Sequence, residues 1–203
     1  ALRYPQNLDE LILRGVFLAT DEELAWFTHG LSRFAPDAWQ AFARDMGEDL
    51  VGSYYDAVHG SDPQRARDAA GRWADYEMQL MSMTAPTSMA SVASLAAAVS
   101  PVSLATLNSV RVQLHYLKHA CFLQHEPLLE AAYKIDLPVT LVQGVMDLIC
   151  PPVTAWRLSQ RLPQATLQLV KDAGHSASAG SLAIALRVAV DALRDRLKRR
   201  ATA

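Results

Sequence analysis

Residues 139–177 read VTLVQGVMDLICPPVTAWRLSQRLPQATLQLVKDAGHSA, and this stretch decides the fold. Its two apolar runs, Val139–Gln143 and Thr166–Val170, have the length and composition of buried strands. Between them, Thr154–Leu162 predicts a helix that is opened by a pair of prolines. A strand, a helix and a second strand in this order predict parallel pairing through a right-handed crossover.

The sequence on either side extends this α/β pattern and then interrupts it. Leu11–Val16 (LILRGV) predicts a third short strand, and Leu182–Leu197 predicts a long amphipathic helix. From Asp21 to about Glu130, apolar side chains recur at helical spacing, with loops expected around Pro36, Ser61–Pro63 and Pro86. The predicted fold class is therefore α/β, a parallel sheet with flanking helices and an all-helical insertion. Residues 1–20 and 131–203 are predicted to form the core, and residues 21–130 the insertion.

Composition excludes several classes of protein. The chain has 203 residues, of which 51% are hydrophobic and 20% charged, and its formal net charge is -2. A nucleic-acid binder would show a basic face, so no nucleic-acid partner is expected, and the basic stretch Arg194–Arg200 is interpreted as a solvated helix end. Met81–Val99 is apolar but is broken by Pro86, so no membrane association is expected.

Cysteine usage indicates the compartment. Cys121 and Cys150 have neither the spacing of a disulfide framework nor that of a metal site, so a reduced, cytoplasmic protein without metal or cofactor is predicted. Cys150 is interpreted as a packed thiol rather than a nucleophile.

The loops that follow the two strands carry the candidate catalytic residues. Asp147 lies three residues after Gly144, and His175 lies one residue after Gly174. Neighbouring parallel strands bring such loops to the same edge of a sheet. There, Asp147 could accept the His175 N–H, fix its tautomer and stabilise the imidazolium. Each residue alone is more typical of a turn or an exposed position, but together they predict the acid and the base of a hydrolase.

A serine nucleophile for this pair is not evident in the sequence. Hydrolases of this type present it in G-x-S-x-G, upstream of the acid and the base. The nearest match, Gly174-His175-Ser176-Ala177-Ser178, lacks the final glycine and has no histidine after it. Its serines are interpreted as caps of the following helix.

Four segments carry a resemblance to a known family: ALRYPQNLDELILRGVFLATDEELAWF, RFAPDAWQAF, QGVMDLICPPVTAWRL and LQLVKDAGHSA. Together they resemble the proline iminopeptidases (prolyl aminopeptidases) of the α/β-hydrolase fold, across essentially the whole chain. The resemblance implies a cytoplasmic serine exopeptidase that releases an N-terminal proline from a peptide or small amide. It implies that Asp147 is the triad acid and His175 the base, and that residues 21–130 are a helical cap over the active site.

The resemblance also implies what this chain does not contain. In the family, the sequence that runs into ALRYP follows a nucleophile elbow of the form G-G-S-W-G. The chain therefore resembles the C-terminal part of an α/β-hydrolase, and the first strands and the catalytic serine are expected upstream of Ala1. By itself the polypeptide is expected to be inactive.

Substrate-binding residues follow from the same resemblance. Family glutamates in the cap bind the free amine, and Glu77 matches one of them, whereas Gln113 stands where a second glutamate is expected. Phe17 matches an aromatic residue that lines the proline pocket, and Leu117 replaces another. These two departures leave the strictness of proline specificity open.

Three functions remain open from the sequence. The first is an iminopeptidase-like hydrolase whose serine lies outside this chain. The second is a hydrolase of the same scaffold for another small ester, amide or epoxide. The third is a non-catalytic remnant. Because the predicted sheet has an open edge, either self-association or an N-terminal segment that completes the sheet is expected.

Overall fold

The computed structural model describes residues 1–84, 102–124, 127–178 and 180–202. Contacts between residues divide the chain into two compact units. The sheet unit consists of residues 1–18 and 126–203, and the helical unit of residues 19–125.

Within the described residues the chain has three strands and eight α-helices. The strands are β1 (Leu11–Arg14), β2 (Val139–Gly144) and β3 (Ala165–Val170). The helices are α1 (Asp21–Thr28), α2 (Pro36–Ala43), α3 (Leu50–His59), α4 (Pro63–Ser82), α5 (Leu104–Lys118), α6 (Leu128–Ala131), α7 (Pro152–Arg161) and α8 (Gly180–Ala201). Short 3-10 turns cover Pro5–Asn7, Gly30–Arg33, Ala120–Phe122 and Ala132–Lys134.

The sheet is parallel throughout, in the order β1-β2-β3. Leu11 lies opposite Val139, and Val139 lies opposite Ala165, so the three strands begin in register. The predicted fold class, an α/β protein with a parallel sheet, flanking helices and an all-helical insertion, is confirmed.

The first strand is shorter than predicted. The sequence suggests Leu11–Val16, but β1 ends at Arg14 because Gly15 adopts a left-handed conformation with φ of 53°. A positive φ turns the chain away from the extended path, and glycine reaches it without a steric penalty. The prediction was therefore wrong for the last two residues.

Alternation along β2 builds two cores, one on each face of the sheet. Leu141 packs with Ala155 and Leu158 of α7 on one face. Its neighbour Val142 packs with residues of α8 on the other face, where Leu182, Ala185 and Ala189 are buried. The strand is thus covered on both sides, as its continuous apolar run requires.

The helical unit is built around aromatic side chains. Helix α3 packs against α4 and α5, and α4 also packs against α2 and α5. Phe27, Phe42, Tyr54, Trp73 and Tyr76 form the centre of the unit, and all five are buried.

Turn chemistry explains where these helices begin. Pro36 and Pro63 are each the first residue of a helix, a position where the missing N–H costs nothing, so the loops lie immediately before them. Thr20 and Glu23 form a capping box at α1, and Asp49, Asp62 and Ser103 cap α3, α4 and α5. The loop expected around Pro86 lies outside the described residues.

No helix in the described part of the chain combines the length and the apolar composition needed to span a bilayer.

Candidate active site

Asp147 lies in a tight loop at the carboxyl end of β2. Beyond Gly144, the N–H of Val145 donates to the Val170 carbonyl and the N–H of Met146 to the Ala173 carbonyl. A Cβ at position 144 would collide with the backbone of Ala173 and Gly174. Glycine is therefore required there, because it lets the loops that follow β2 and β3 approach each other closely.

This approach brings Asp147 and His175 together. His175 Nδ1 lies 3.0 Å from Asp147 Oδ2 and 3.1 Å from Oδ1. Asp147 is buried, with 3% of its surface exposed, whereas the His175 side chain is 23% exposed. Because a carboxylate accepts but cannot donate, Nδ1 carries the proton, and Nε2 of the neutral ring is left as the basic nitrogen.

The Asp147 carboxylate is held by further donors. Oδ1 accepts the backbone N–H groups of Ile149, at 3.0 Å, and Cys150, at 2.9 Å. Oδ2 accepts the Gln143 side-chain amide at 2.9 Å. Burial of a carboxyl group is costly unless it is hydrogen-bonded, and here each oxygen accepts at least two hydrogen bonds.

The end of β1 and the residue after it lie against His175. Arg14 donates a hydrogen bond of 3.2 Å to the His175 carbonyl, and a Cβ at Gly15 would lie 3.3 Å from His175 Cε1. Arg14, Gly15 and Gln143 were not predicted as site residues from the sequence. The available signal was a glycine at a strand end and a lone amide at the end of an apolar run.

Two other predicted site residues meet in the helical unit. Gln113 Nε2, on α5, donates to Glu77 Oε1, on α4, at 2.6 Å. Gln113 Oε1 accepts the Trp73 indole N–H at 3.0 Å. Trp73 is fully buried, and Glu77 and Gln113 are half-buried. Since an indole N–H can only donate, it fixes the orientation of the Gln113 amide, with its NH2 toward Glu77.

Leu117 and Phe17 complete the predicted set. Leu117 is half-buried and lies one turn after Gln113, on the same face of α5. Phe17 belongs to the sheet unit and is 37% exposed, between the buried residues Val16 and Leu18.

The described residues contain no group of three or more histidine, cysteine, aspartate and glutamate side chains that could hold a metal ion. Cys150 is buried, and its thiol lies in the loop that surrounds the Asp147 carboxylate.

Comparison with known proteins gives consistent sequence matches. The chain is 33% identical over 195 residues to the proline iminopeptidase of Arabidopsis thaliana, which covers 92% of this chain and 49% of that protein. It is 33% identical over 205 residues to the proline iminopeptidase of Neisseria gonorrhoeae, with coverage of 97% and 62%. A probable proline iminopeptidase of Leptolyngbya boryana is 29% identical over 195 residues, with coverage of 93% and 59%. No protein-family model matches the chain.

Solved structures give weaker similarities. An alpha/beta fold family hydrolase from Bacillus anthracis str. Sterne matches with a TM-score of 0.43 and 13% identity, covering 86% of this chain and 54% of that one. The alpha/beta hydrolase MGS-M2, from a deep-sea metagenome library, matches with a TM-score of 0.41 and 16% identity, covering 86% and 52%.

The sequence matches extend over almost all of this chain, but the chain spans only about half to three fifths of the length of the curated relatives that it matches. By its sequence, the chain is similar to the proline iminopeptidases over almost its whole length.

Proposed function

We propose that this chain supplies the acid and the base of a serine hydrolase of the proline iminopeptidase type, which releases N-terminal proline from peptides. The observation that carries the proposal is the contact of 3.0 Å between His175 Nδ1 and the buried Asp147 carboxylate. The similarity to proteins named proline iminopeptidases supports the same reaction class.

In this proposal His175 is the general base. Its Nε2 takes the proton of a serine hydroxyl as the oxygen attacks the carbonyl of the proline residue, and then gives that proton to the leaving amine. Asp147 holds the ring in the required tautomer and stabilises the imidazolium that forms. The serine comes from a segment outside this chain.

Glu77 is the proposed ligand of the substrate's free amine. Gln113 supports it, but an amide carries no charge, so the pair offers one negative charge where two glutamates would offer two. A hydrogen bond to a charged group contributes about 1.5–3 kcal/mol, so the loss of one carboxylate lowers amine affinity roughly tenfold or more. Phe17 and Leu117 are the proposed lining of the proline pocket.

Gln113 and Leu117 favour a second candidate, a hydrolase of the same scaffold that accepts other small amides or esters. Gln113 Nε2 is already engaged by Glu77, and Leu117 presents an aliphatic side chain where an aromatic one is expected. Both features reduce the demand for a free amine next to a proline ring.

Substitution Gln113→Glu separates these two candidates. A second carboxylate beside Glu77 would lower KM for free-amine arylamides about tenfold and leave KM for N-blocked arylamides unchanged, because only the free amine is cationic. Gln113→Met, which loses both hydrogen bonds without adding charge, is the control. Equal changes in KM for the two kinds of substrate would favour the second candidate.

The partner of the sheet unit is proposed from its edge. In the described residues β1 pairs only with β2, so its other side offers unpaired backbone groups. A segment that precedes Ala1 in a longer protein would cover this edge, and self-association is the alternative. A cytoplasmic location is proposed because both cysteines are thiols.

The test of the proposed reaction joins the N-terminal part of a longer relative to this chain. The N-terminal part of the Neisseria gonorrhoeae relative, up to the position that aligns with Ala1, is fused to residue 1. Proline arylamide hydrolysis by the fusion is then measured with and without an acylating serine reagent. We expect turnover that the reagent abolishes, and none from the unfused chain.

Three variants of the fusion assign the roles. Asp147→Asn is expected to lower kcat about 10⁴-fold, because the amide favours the wrong imidazole tautomer. His175→Ala is expected to lower it at least as much. Ser176→Ala is the control and should leave kcat unchanged, because Ser176 lies in the incomplete G-x-S-x-G match and is not the proposed nucleophile. Full activity of the Asp147→Asn fusion would refute the assignment of the acid.

A further inference from the structure

Gln143 is a buried amide next to the Asp147–His175 pair, and its role is not explained by strand pairing alone. It lies near the end of β2, with 1% of its surface exposed. Its Nε2 donates both to Asp147 Oδ2, at 2.9 Å, and to the Cys150 carbonyl, at 3.0 Å. Its Oε1 accepts the Val16 N–H in a longer contact of 3.4 Å.

These partners fix the orientation of the amide. Two acceptors face the nitrogen and one donor faces the oxygen, so a flipped amide would oppose like groups at all three contacts. Gln143 therefore ties together the end of β2, the loop after β1 and the loop that carries Asp147.

The position of the contact on Asp147 matters. Asp147 Oδ1 accepts two backbone N–H groups, and these contacts alone would leave the carboxylate free to rotate about Oδ1. The Gln143 amide restrains Oδ2, which is also the closer acceptor of His175 Nδ1–H.

We propose that Gln143 is a positioning residue of the site: its amide fixes Asp147 Oδ2 and thereby holds His175 in the Nδ1–H tautomer that leaves Nε2 free for the nucleophile. This inference rests on the proposed function, because the tautomer matters only if His175 acts as a base.

The first measurement uses the native chain labelled with 15N. The side-chain amide signals of Gln143 and the imidazole nitrogens of His175 are followed by NMR as pH is varied. We expect the Gln143 amide to exchange slowly with solvent and to shift with the same midpoint as His175. Gln168, an exposed glutamine on neighbouring β3, is the matched control and should not shift with that midpoint. A Gln143 amide that ignores the His175 titration would overturn the proposal.

The second measurement uses Gln143→Met, which keeps the volume of the side chain and removes its hydrogen bonds. The ratio of Nδ1–H to Nε2–H tautomers in neutral His175 should fall about tenfold, as for the loss of one hydrogen bond to a charged group. Val142→Ala, a buried change on the same strand outside this network, controls for general destabilisation and should leave the ratio unchanged. An unchanged ratio in folded Gln143→Met would also overturn the proposal.

If Gln143→Met does not fold, the titration of the native chain decides alone. Neither measurement needs turnover, so a fusion without activity would defeat the proposed function and leave this coupling intact. Conversely, absence of the coupling would leave the assignment of hydrolysis untouched.

Discussion

The sheet unit and the helical unit bury polar atoms in different ways. In the sheet unit the buried polar side chains include Asp147 and Gln143, and the side chain of Glu10 is only 2% exposed. In the helical unit the deeply buried polar atoms belong mainly to aromatic rings. Tyr54 donates to the Phe42 carbonyl at 2.7 Å, and Tyr76 to the Phe27 carbonyl at 3.2 Å.

All of these atoms are satisfied. Among the described residues, no buried side-chain nitrogen or oxygen lacks a hydrogen-bond partner. The difference lies in the buried groups themselves: the sheet unit buries the carboxyl groups of Asp147 and Glu10, whereas the helical unit buries the hydroxyl groups of Tyr54 and Tyr76, which donate to backbone carbonyls. We infer that protonation governs the stability of the first more strongly at low pH, and that packing governs the second.

Truncation of Trp73 should have the largest effect. Trp73→Ala removes a fully buried ring that contacts Phe27, Phe42 and Tyr54, so we expect a loss of about 3–5 kcal/mol in the free energy of unfolding. It also leaves Gln113 Oε1 without its donor.

The matched control for this truncation is Trp156→Ala. Trp156 lies on α7 of the sheet unit and is 53% exposed, so its loss should change stability by only about 0.5 kcal/mol. Urea denaturation compares the two variants. Equal losses would contradict the view that the helical unit depends on its aromatic centre.

The second largest difference between the two units is expected in the pH dependence of their stability. Arg196 donates to Glu10 and lowers the pKa of that carboxyl, against the opposing effect of burial. A lowered folded-state pKa gives stability that is present above the unfolded value of 4.5 and is lost as pH falls through the folded value. Glu10→Gln should therefore flatten the acid side of the stability curve.

The helical unit should instead be sensitive to alkali. Burial raises the pKa of Tyr54 and of Tyr76 above the ordinary value. Their contribution is fully present below the unfolded value of about 10 and is lost as pH rises through the folded value. Thermal melts from pH 3 to pH 11 would test the acid and the alkaline side of the stability curve. Tyr54→Phe should flatten the alkaline side. Asp191→Asn, which removes an exposed ion pair, is the control and should change neither side.

The smallest contrast concerns left-handed backbone. The sheet unit uses glycine at its sharp turn, since Gly15 has φ of 53°, whereas the helical unit places Ala120, Cys121 and Phe122 at φ of 47°, 51° and 58°. The left-handed conformation costs about 1–2 kcal/mol for a residue with a side chain. Gly15→Ala should therefore destabilise the chain by that amount.

The opposite change should stabilise the helical unit. Ala120→Gly relieves the steric cost but adds about 0.5–1 kcal/mol of unfolded-state entropy, so a net gain of about 0.5 kcal/mol is expected. Ala41→Gly, on the exposed side of α2, is the control and should lose about 1 kcal/mol. A loss in Ala120→Gly similar to that in Ala41→Gly would mean that the turn is not strained.

Much of the fold was predictable because its signals are local. The runs that became β2 and β3 were predicted to within one residue, since long apolar stretches between turn residues have few alternatives. Helix α7 begins at Pro152 rather than at the predicted Thr154, because a proline at the first position starts a helix without loss of a hydrogen bond. The length of β1 was overestimated by two residues, because the sequence does not reveal the sign of φ at Gly15.

The candidate site was predictable in part. The loops after two adjacent parallel strands had to meet, and this indicated Asp147 and His175 as neighbours. Gln143 was missed because an amide at the end of an apolar strand resembles an ordinary strand end. Its function in the network depends on Val16, which lies 127 residues earlier in the chain.

By itself, the sequence determined the order of the strands and helices, the residues with chemically reactive side chains, and the similarity to the proline iminopeptidases. These depend on periodicity, turn chemistry and residue identity, which are properties of short segments. Only the tertiary structure decided which polar groups bond to one another: Gln143 to Asp147 in the sheet unit, and Trp73 to Gln113 and Gln113 to Glu77 in the helical unit. The physical reason is that a hydrogen bond requires two atoms within about 3 Å and in line. Such placement is set by the packing of whole elements against one another and not by the residues adjacent in the chain.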